Sequence, residues 1–188
     1  LRLHGGTVWN WNRAVYDPEG DGHVRIELRA LPAGPTVTDM TANAAFLVGL
    51  TLGLADQAHW MTAALPFRHA ERNFLKAARE GMGGTLLWPA TRAPSPRPIP
   101  VRRLVDHLLT VADAGLHEHG VASEERSRCL GVIADRVATG RTGARWQRMV
   151  IERLEPRLGR ERALAAMLEE YQRAVASGRP VHEWDLPD

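Results

Sequence analysis

The chain has 188 residues and a mass of 20.8 kDa, with 44% hydrophobic and 24% charged residues. That composition excludes a disordered chain, and the length allows a sizeable core. A formal charge of +2 beside a pI of about 9.2 is too slight an excess of base for the concentrated field of a nucleic-acid binder.

Cys129 is the single cysteine, which rules out an intrachain disulfide framework and fits a reducing compartment. The longest apolar stretch, Ala44 to Leu50 and on past Thr51 to Ala55, falls short of the ~20 residues of a membrane span. No basic and then apolar leader opens the chain. These features predict a soluble, cytoplasmic protein with neither a membrane nor a nucleic-acid partner. Leu1 is not an initiator Met and the residues after it already read as structured, so a piece of a longer protein is expected.

In chain order, the segment from Thr7 to Val15 is rich in Trp, Val and Thr and reads as a strand, with Trp9 and Trp11 on one face. Asp17-Pro18-Glu19-Gly20-Asp21-Gly22 is turn chemistry. From His23 to Leu31 apolar Val24, Ile26 and Leu28 alternate with His23, Arg25, Glu27 and Arg29, the pattern of a half-buried strand with a charged outer face. The two segments form an antiparallel hairpin. A two-stranded ribbon alone is marginal, so further strands are expected to complete its sheet.

Prolines 32 and 35 with Gly34 end the strand. Thr36 can cap a helix with Asp39 in its first turn, and apolar spacing from Val37 carries that helix to about Trp60. Gly49 and Gly53, one turn apart, predict close approach to a neighbour. Pro66 opens a helix over 67–80, which Gly81-Met82-Gly83-Gly84 stops. A short strand at 85–88 precedes an extended surface connector with five prolines over 89–100. Helices follow over 101–118, 123–139, 142–154 and 159–176, with Ser123 and Thr142 as N-caps and Gly140 as a stop. The tail carries Val181, Trp184 and Leu186 and should dock on the body. The fold class is α+β and mostly helical, with five or six helices. Its organisation is a hairpin and turn over 1–35, a helical pair over 36–88, the connector over 89–100, and a helical region with tail over 101–188, all one domain.

Chemistry concentrates on the charged strand face. Arg25, Glu27 and Arg29 project from one side at about 7 Å intervals. Guanidinium forks match phosphate oxygens, and a carboxylate between them can hold Mg²⁺, which lets substrate phosphates complete its oxygen shell. The same face also reads as a solvated surface stitched by salt bridges, and spacing by itself favours that. His117-Glu118-His119 is an exposed helix end, since i,i+2 histidines diverge on a helix. Gly140-Arg141-Thr142-Gly143 lacks the Walker pattern and reads as a helix–helix turn. Arg141 and Arg145 flank it and leave nucleotide contact open.

The run from His23 to Pro32, followed by Ala33-Gly34-Pro35-Thr36 and a helix bearing Ala42-Asn43-Ala44-Ala45, resembles the carboxylate–amine ligases of the glutamate–cysteine ligase superfamily, relatives of glutamine synthetase. The likeness extends through His4-Gly5-Gly6-Thr7-Val8-Trp9 with Trp11-Asn12-Arg13, Asn73 to Arg79, Thr139 to Gln147, and Ser177 to Trp184.

This resemblance implies an ATP- and Mg-dependent ligase that joins a carboxylate, such as that of glutamate, to an amine, such as that of cysteine, through an acyl phosphate. It implies Glu27 as the metal ligand and Arg29 as the contact to the transferred phosphate. Arg25 becomes a further phosphate or substrate contact. Apart from the resemblance, Arg13 lies on the hairpin partner strand with His4 and Asn12 and can face the same site, and Arg145 beside the 140–143 turn is kept as a nucleotide contact. The resemblance also implies that the hairpin belongs to a glutamine-synthetase-like sheet, and that the chain is the C-terminal portion of a larger catalytic domain. Relatives carry further metal carboxylates on earlier strands, and many have Asp where Pro32 stands. The chain is therefore expected to hold half an active site, completed by an upstream catalytic half or by a second copy. The rival reading is a non-catalytic helical module used for assembly.

Overall fold

The structure, a computed structural model, describes residues 12–29, 31, 33–89 and 95–187. The chain divides into two compact units, Leu1–Ala33 and Gly34–Asp188. The expected strand residues Thr7 to Trp11, with His4 before them, lie outside the described residues.

In the first unit, β1 (Arg13–Asp17) and β2 (His23–Glu27) pair antiparallel, with Arg13 opposite Glu27 and Asp17 opposite His23. Gly20 and Gly22 take φ of 63° and 73° in the connecting turn, the left-handed region open to glycine. The Gly22 N–H donates to the Glu19 carbonyl at 3.2 Å. β2 ends at Glu27, four residues before the expected Leu31. Beyond it the Arg29 N–H donates to the Asn12 side-chain oxygen instead of to a strand partner.

The second unit is helical. α1 (Val37–Gly53) is capped by the Thr36 hydroxyl, which accepts from the Asp39 N–H. It stops at Gly53 and does not run on to Trp60. A single 3-10 turn over 55–57 breaks it from α2 (Ala58–Ala64), with a bend of 52°. No single described helix is long and apolar enough to cross a membrane.

α3 (Phe67–Glu80) follows Pro66 as expected. β3 (Thr85–Trp88) pairs antiparallel with β4 (Arg97–Pro100), so the end of the proline-rich connector is a strand. The parity of the prolines allows this: 98 and 100 alternate with 97 and 99, and Val101, next in the inward series, donates its N–H to the Gly84 carbonyl at 3.0 Å. The missing proline N–H groups therefore point away from β3.

α4 (Val101–Glu118) and α5 (Ser123–Thr139) keep their expected bounds. Ser123 is the first helical residue, not the cap; Ala122 stands at the cap without a side-chain bond. α6 (Gly143–Leu158) is capped by Thr142 and continues past Pro156. The proline gives up one hydrogen bond to the carbonyl four residues earlier, and Leu158 beyond it packs on the core. α7 (Arg160–Ala176) completes the set. Among the described residues there are thus seven α-helices, not five or six, and the α+β class with helix dominant holds.

α1 lies against α4 and α5, and α6 against α7. Glycines let α1 and α4 meet backbone to backbone. A Cβ on Gly115 would stand 2.5 Å from both the Gly49 carbonyl oxygen and the Gly53 nitrogen, and one on Gly49 would stand 2.6 Å from the Ala112 carbonyl oxygen. One core cluster, Ala112, Leu116 and Leu130, sits beneath this crossing.

The second cluster joins Trp146, Val150 and Leu154 of α6 and Ala163 of α7 to Val181 and Trp184 of the tail. Trp184 meets Trp146 edge-on at 5.1 Å and Tyr171 at 5.4 Å, geometry that suits aromatic quadrupoles. Burial, and then the charge of Asp39, push the Tyr171 hydroxyl above its ordinary range. The tail docks as expected.

Candidate functional site

The hairpin register puts Arg13, Val15 and Asp17 on the same face as His23, Arg25 and Glu27, because directly paired residues share a face. Glu27 is the centre of the charged cluster. Its Oε2 accepts from the Arg13 Nε at 2.5 Å, and its Oε1 stands 3.2 Å from the Arg29 Nε. Arg29 lies beyond the end of β2 yet reaches back to it, with a side chain only 20% exposed. Arg25 turns the other way and donates to the Asp17 Oδ2 at 2.7 Å. The structure thus brings Arg13, Glu27 and Arg29 together, and Arg25 belongs to a separate pair.

Asp17 is the acid that the sequence reading missed, having been read only as a turn residue. Counting by twos from Arg13 would have placed it on the charged face.

Arg145 belongs to the other unit. It stands in the first turn of α6, where its N–H donates to the Thr142 hydroxyl, and its exposed side chain lines a cavity with Arg79 and Arg148. Arg141, beside it in sequence, is structural: its guanidinium donates to the carbonyls of His182 and Trp184 and holds the tail. Two other residues of the sequence likeness also act within the fold. The Asn73 side chain accepts from the Leu87 N–H at 2.8 Å and donates to the Leu87 carbonyl at 2.7 Å. Lys76 donates to the Thr85 hydroxyl at 2.7 Å. Both tie α3 to β3.

Residues 18–177 match the model of glutamate-cysteine ligase family 2. The chain belongs to that family. Comparisons with curated proteins and with solved structures give no match. The matched span begins in the hairpin turn and covers β2, all seven described α-helices and three of the four candidate arginines: Arg25, Arg29 and Arg145, with Arg13 just before it. At the level of the family, glutamate-cysteine ligase family 2 makes this chain a ligase of the carboxylate–amine type.

The charged face can be tested for its fit to a magnesium–phosphate pair. Among the described residues no group of three or more His, Cys, Asp or Glu is placed to hold a metal ion. Glu27 has both oxygens against guanidiniums. One carboxylate flanked by cations is a poor cage for a bare divalent ion. It fits magnesium that arrives with phosphate, because phosphate oxygens and water complete that ion's shell and also match the guanidinium forks. The donor set therefore fits a phosphate-bound metal.

A second charged cluster, absent from the sequence reading except for Asp39 in the first turn of its helix, lies inside the helical unit. Asp39 is fully buried. Its carboxylate accepts from the Arg136 Nη2 at 2.7 Å, the Thr36 hydroxyl at 2.8 Å and the Val181 N–H at 3.1 Å. Arg136 also donates to the Asn43 side-chain oxygen at 2.7 Å. This network clamps α1, α5 and the tail, and it leaves the buried Arg136 Nε without a hydrogen-bond partner.

Proposed function

We propose that this chain carries the phosphate end of an ATP- and Mg²⁺-dependent ligase site, which forms an amide between the γ-carboxylate of glutamate, or a similar acid, and an amine such as that of cysteine. The observation that supports this most is the Glu27 carboxylate held between Arg13 and Arg29 on a hairpin face, within a family of ligases. Bound Mg-ATP would supply the phosphoryl group and the charge that offsets its oxygens.

The reaction needs activation because a carboxylate is a poor electrophile. Its oxygen takes the terminal phosphoryl group as ADP leaves. The amine nitrogen then attacks the acyl carbon, phosphate departs, and the nitrogen loses a proton. Glu27 would hold the metal, and Arg29 would face the transferred phosphoryl group. Arg25 and Arg13 would neutralise neighbouring phosphate or carboxylate oxygens; Arg145, in the helical unit, is proposed separately as a nucleotide contact. Catalysis of this kind is mostly positioning and charge neutralisation.

Acid- and amine-dependent release of ADP by the full-length enzyme tests the reading. Glu27→Gln and Arg29→Ala should each abolish most of it, and unchanged release in both would overturn the assignment.

A second reading, assembly through the hairpin, draws on Tyr16, Val24 and Ile26. They share the other face of the ribbon and are 68%, 65% and 58% exposed. That face would take a further strand layer from an upstream catalytic half or from a second copy. Gel filtration with light scattering tests assembly with a second copy, which a stable monomer removes.

A further inference from the structure

One cavity of the helical unit collects positive charge from two elements far apart in sequence. It has a volume of about 310 Å³, and its walls include Arg79 at the end of α3 and Arg145 and Arg148 on α6. Arg145 and Arg148, three residues apart, share one helix face. The acid in the lining is Glu80, so three guanidiniums stand against one carboxylate.

That carboxylate is already shared. It accepts from the Arg79 Nη2 at 2.9 Å and lies 3.7 Å from the Lys76 Nζ. The guanidinium of Arg79 holds the Glu80 carboxyl below its ordinary range. Arg148 has only a loose, exposed contact to Glu152 at 3.7 Å. Gly83 also lines the cavity, and a side chain there would meet nothing within 4 Å.

Like charges gathered at one cavity repel each other, and the exposed pairs around them return little stability. A ligand with several anionic oxygens would relieve that repulsion and fill the guanidinium forks. A lone carboxylate would satisfy one fork and leave two cations facing each other.

We infer that this cavity binds a phosphate-type oxyanion of two or more negative charges, either the polyphosphate end of a nucleotide or a free phosphate. Arg79 and Arg148 join Arg145 as its ligands. The inference deepens the part given to Arg145 in the ligase reading and uses no residue of the hairpin, so the two can fail separately.

Calorimetric titration of inorganic pyrophosphate into the full chain, without magnesium, tests it. Wild type should bind. The R145A/R148A double variant should lose at least about tenfold in affinity, the loss expected when charge-assisted contacts go, and Arg79→Ala alone should weaken binding in the same direction. R160A/R173A removes equal charge from α7 and should bind within about twofold of wild type.

All the replaced side chains are solvent-exposed or lie outside the core, and thermal melts verify that each variant is folded. ATP and phosphate titrated in parallel separate the two sources: tighter binding of ATP than of pyrophosphate assigns the nucleotide, and the reverse assigns the free oxyanion. No pyrophosphate binding by wild type overturns the inference. So does unchanged binding by R145A/R148A, or an equal loss in R160A/R173A.

Discussion

Glu27 in the hairpin and Asp39 in the helical unit are both carboxylates held by arginine, under opposite conditions. Glu27 and its partner Arg13 have side chains 39% and 57% exposed, whereas Asp39 is fully buried and the Arg136 side chain is 16% exposed. An exposed pair is worth about 0–1 kcal/mol, because water and salt compete for both charges. It can exchange its partner for a phosphate oxygen or a metal ion at little cost to folding. A buried pair cannot be released in that way, since either charge left alone in the interior is penalised by several kcal/mol. The difference separates two uses of the same chemistry: the hairpin pairs are available to a ligand, and the Asp39 network holds the fold.

The sharpest way to break this contrast is Asp39→Ala. It leaves Arg136 without its carboxylate and the Val181 N–H without its acceptor. The expected loss is about 3–5 kcal/mol, a drop in Tm on the order of 10 °C for a chain of this size. Denaturant unfolding followed by tryptophan fluorescence would measure it, since Trp146 and Trp184 lie in the core that the tail completes. A loss below about 1 kcal/mol would mean that the network is dispensable and that Asp39 should be counted among the residues free to act.

Next comes the converse in the hairpin. Glu27→Gln should cut turnover of the full-length enzyme by about 100-fold or more, the scale of losing one preorganised electrostatic contact. Its thermal melt should stay within about 2 °C of wild type. A variant that loses stability and activity together would place Glu27 with Asp39, as a structural charge.

How much of this was legible beforehand depended on the range of the interactions. α3, α4 and α5 follow from local spacing and from caps or stops at Pro66, Gly81 and Gly140, and the structure places them as read. The glycines at 49 and 53 announced a close approach. Only the packing of α4, with Gly115 facing them, shows what they approach and accompanies the end of α1 at Gly53. β4 was hidden because proline content argues against a strand until the parity of its edge is known. The hairpin cluster was half visible: alternation gave Arg25, Glu27 and Arg29. That Arg13 rather than Arg25 completes the cluster depends on cross-strand register, which a single strand does not carry. The Asp39 network joins residues about a hundred positions apart, and no local pattern marks it.

A third experiment probes packing without charge. Gly115→Ala pushes a methyl against the Gly49 carbonyl and the Gly53 nitrogen, both at 2.5 Å. Both are backbone, so the clash is relieved only by separating α1 from α4. The expected cost is about 1–3 kcal/mol, read from the midpoint of urea unfolding. An unchanged midpoint would show that the two helices can part freely, and would weaken the view of the helical unit as the rigid part of the molecule.

The smallest effect is the most discriminating for the hairpin. Arg13→Ala removes one of the two guanidiniums at Glu27 and leaves Arg29 in place at 3.2 Å. Stability should change by less than about 1 kcal/mol, and the difference from wild type should shrink further as salt rises toward 1 M, where charges more than about 3 Å apart are screened. If Arg13 serves only as a surface partner, the affinity of the full-length enzyme for Mg-ATP should be unaffected as well. If Arg13 turns from Glu27 to phosphate when nucleotide binds, affinity should fall while unfolding stays as it was. Paired melts and nucleotide titrations at two salt concentrations read both quantities. Only a change confined to the titration supports a guanidinium that is held by Glu27 until phosphate replaces it.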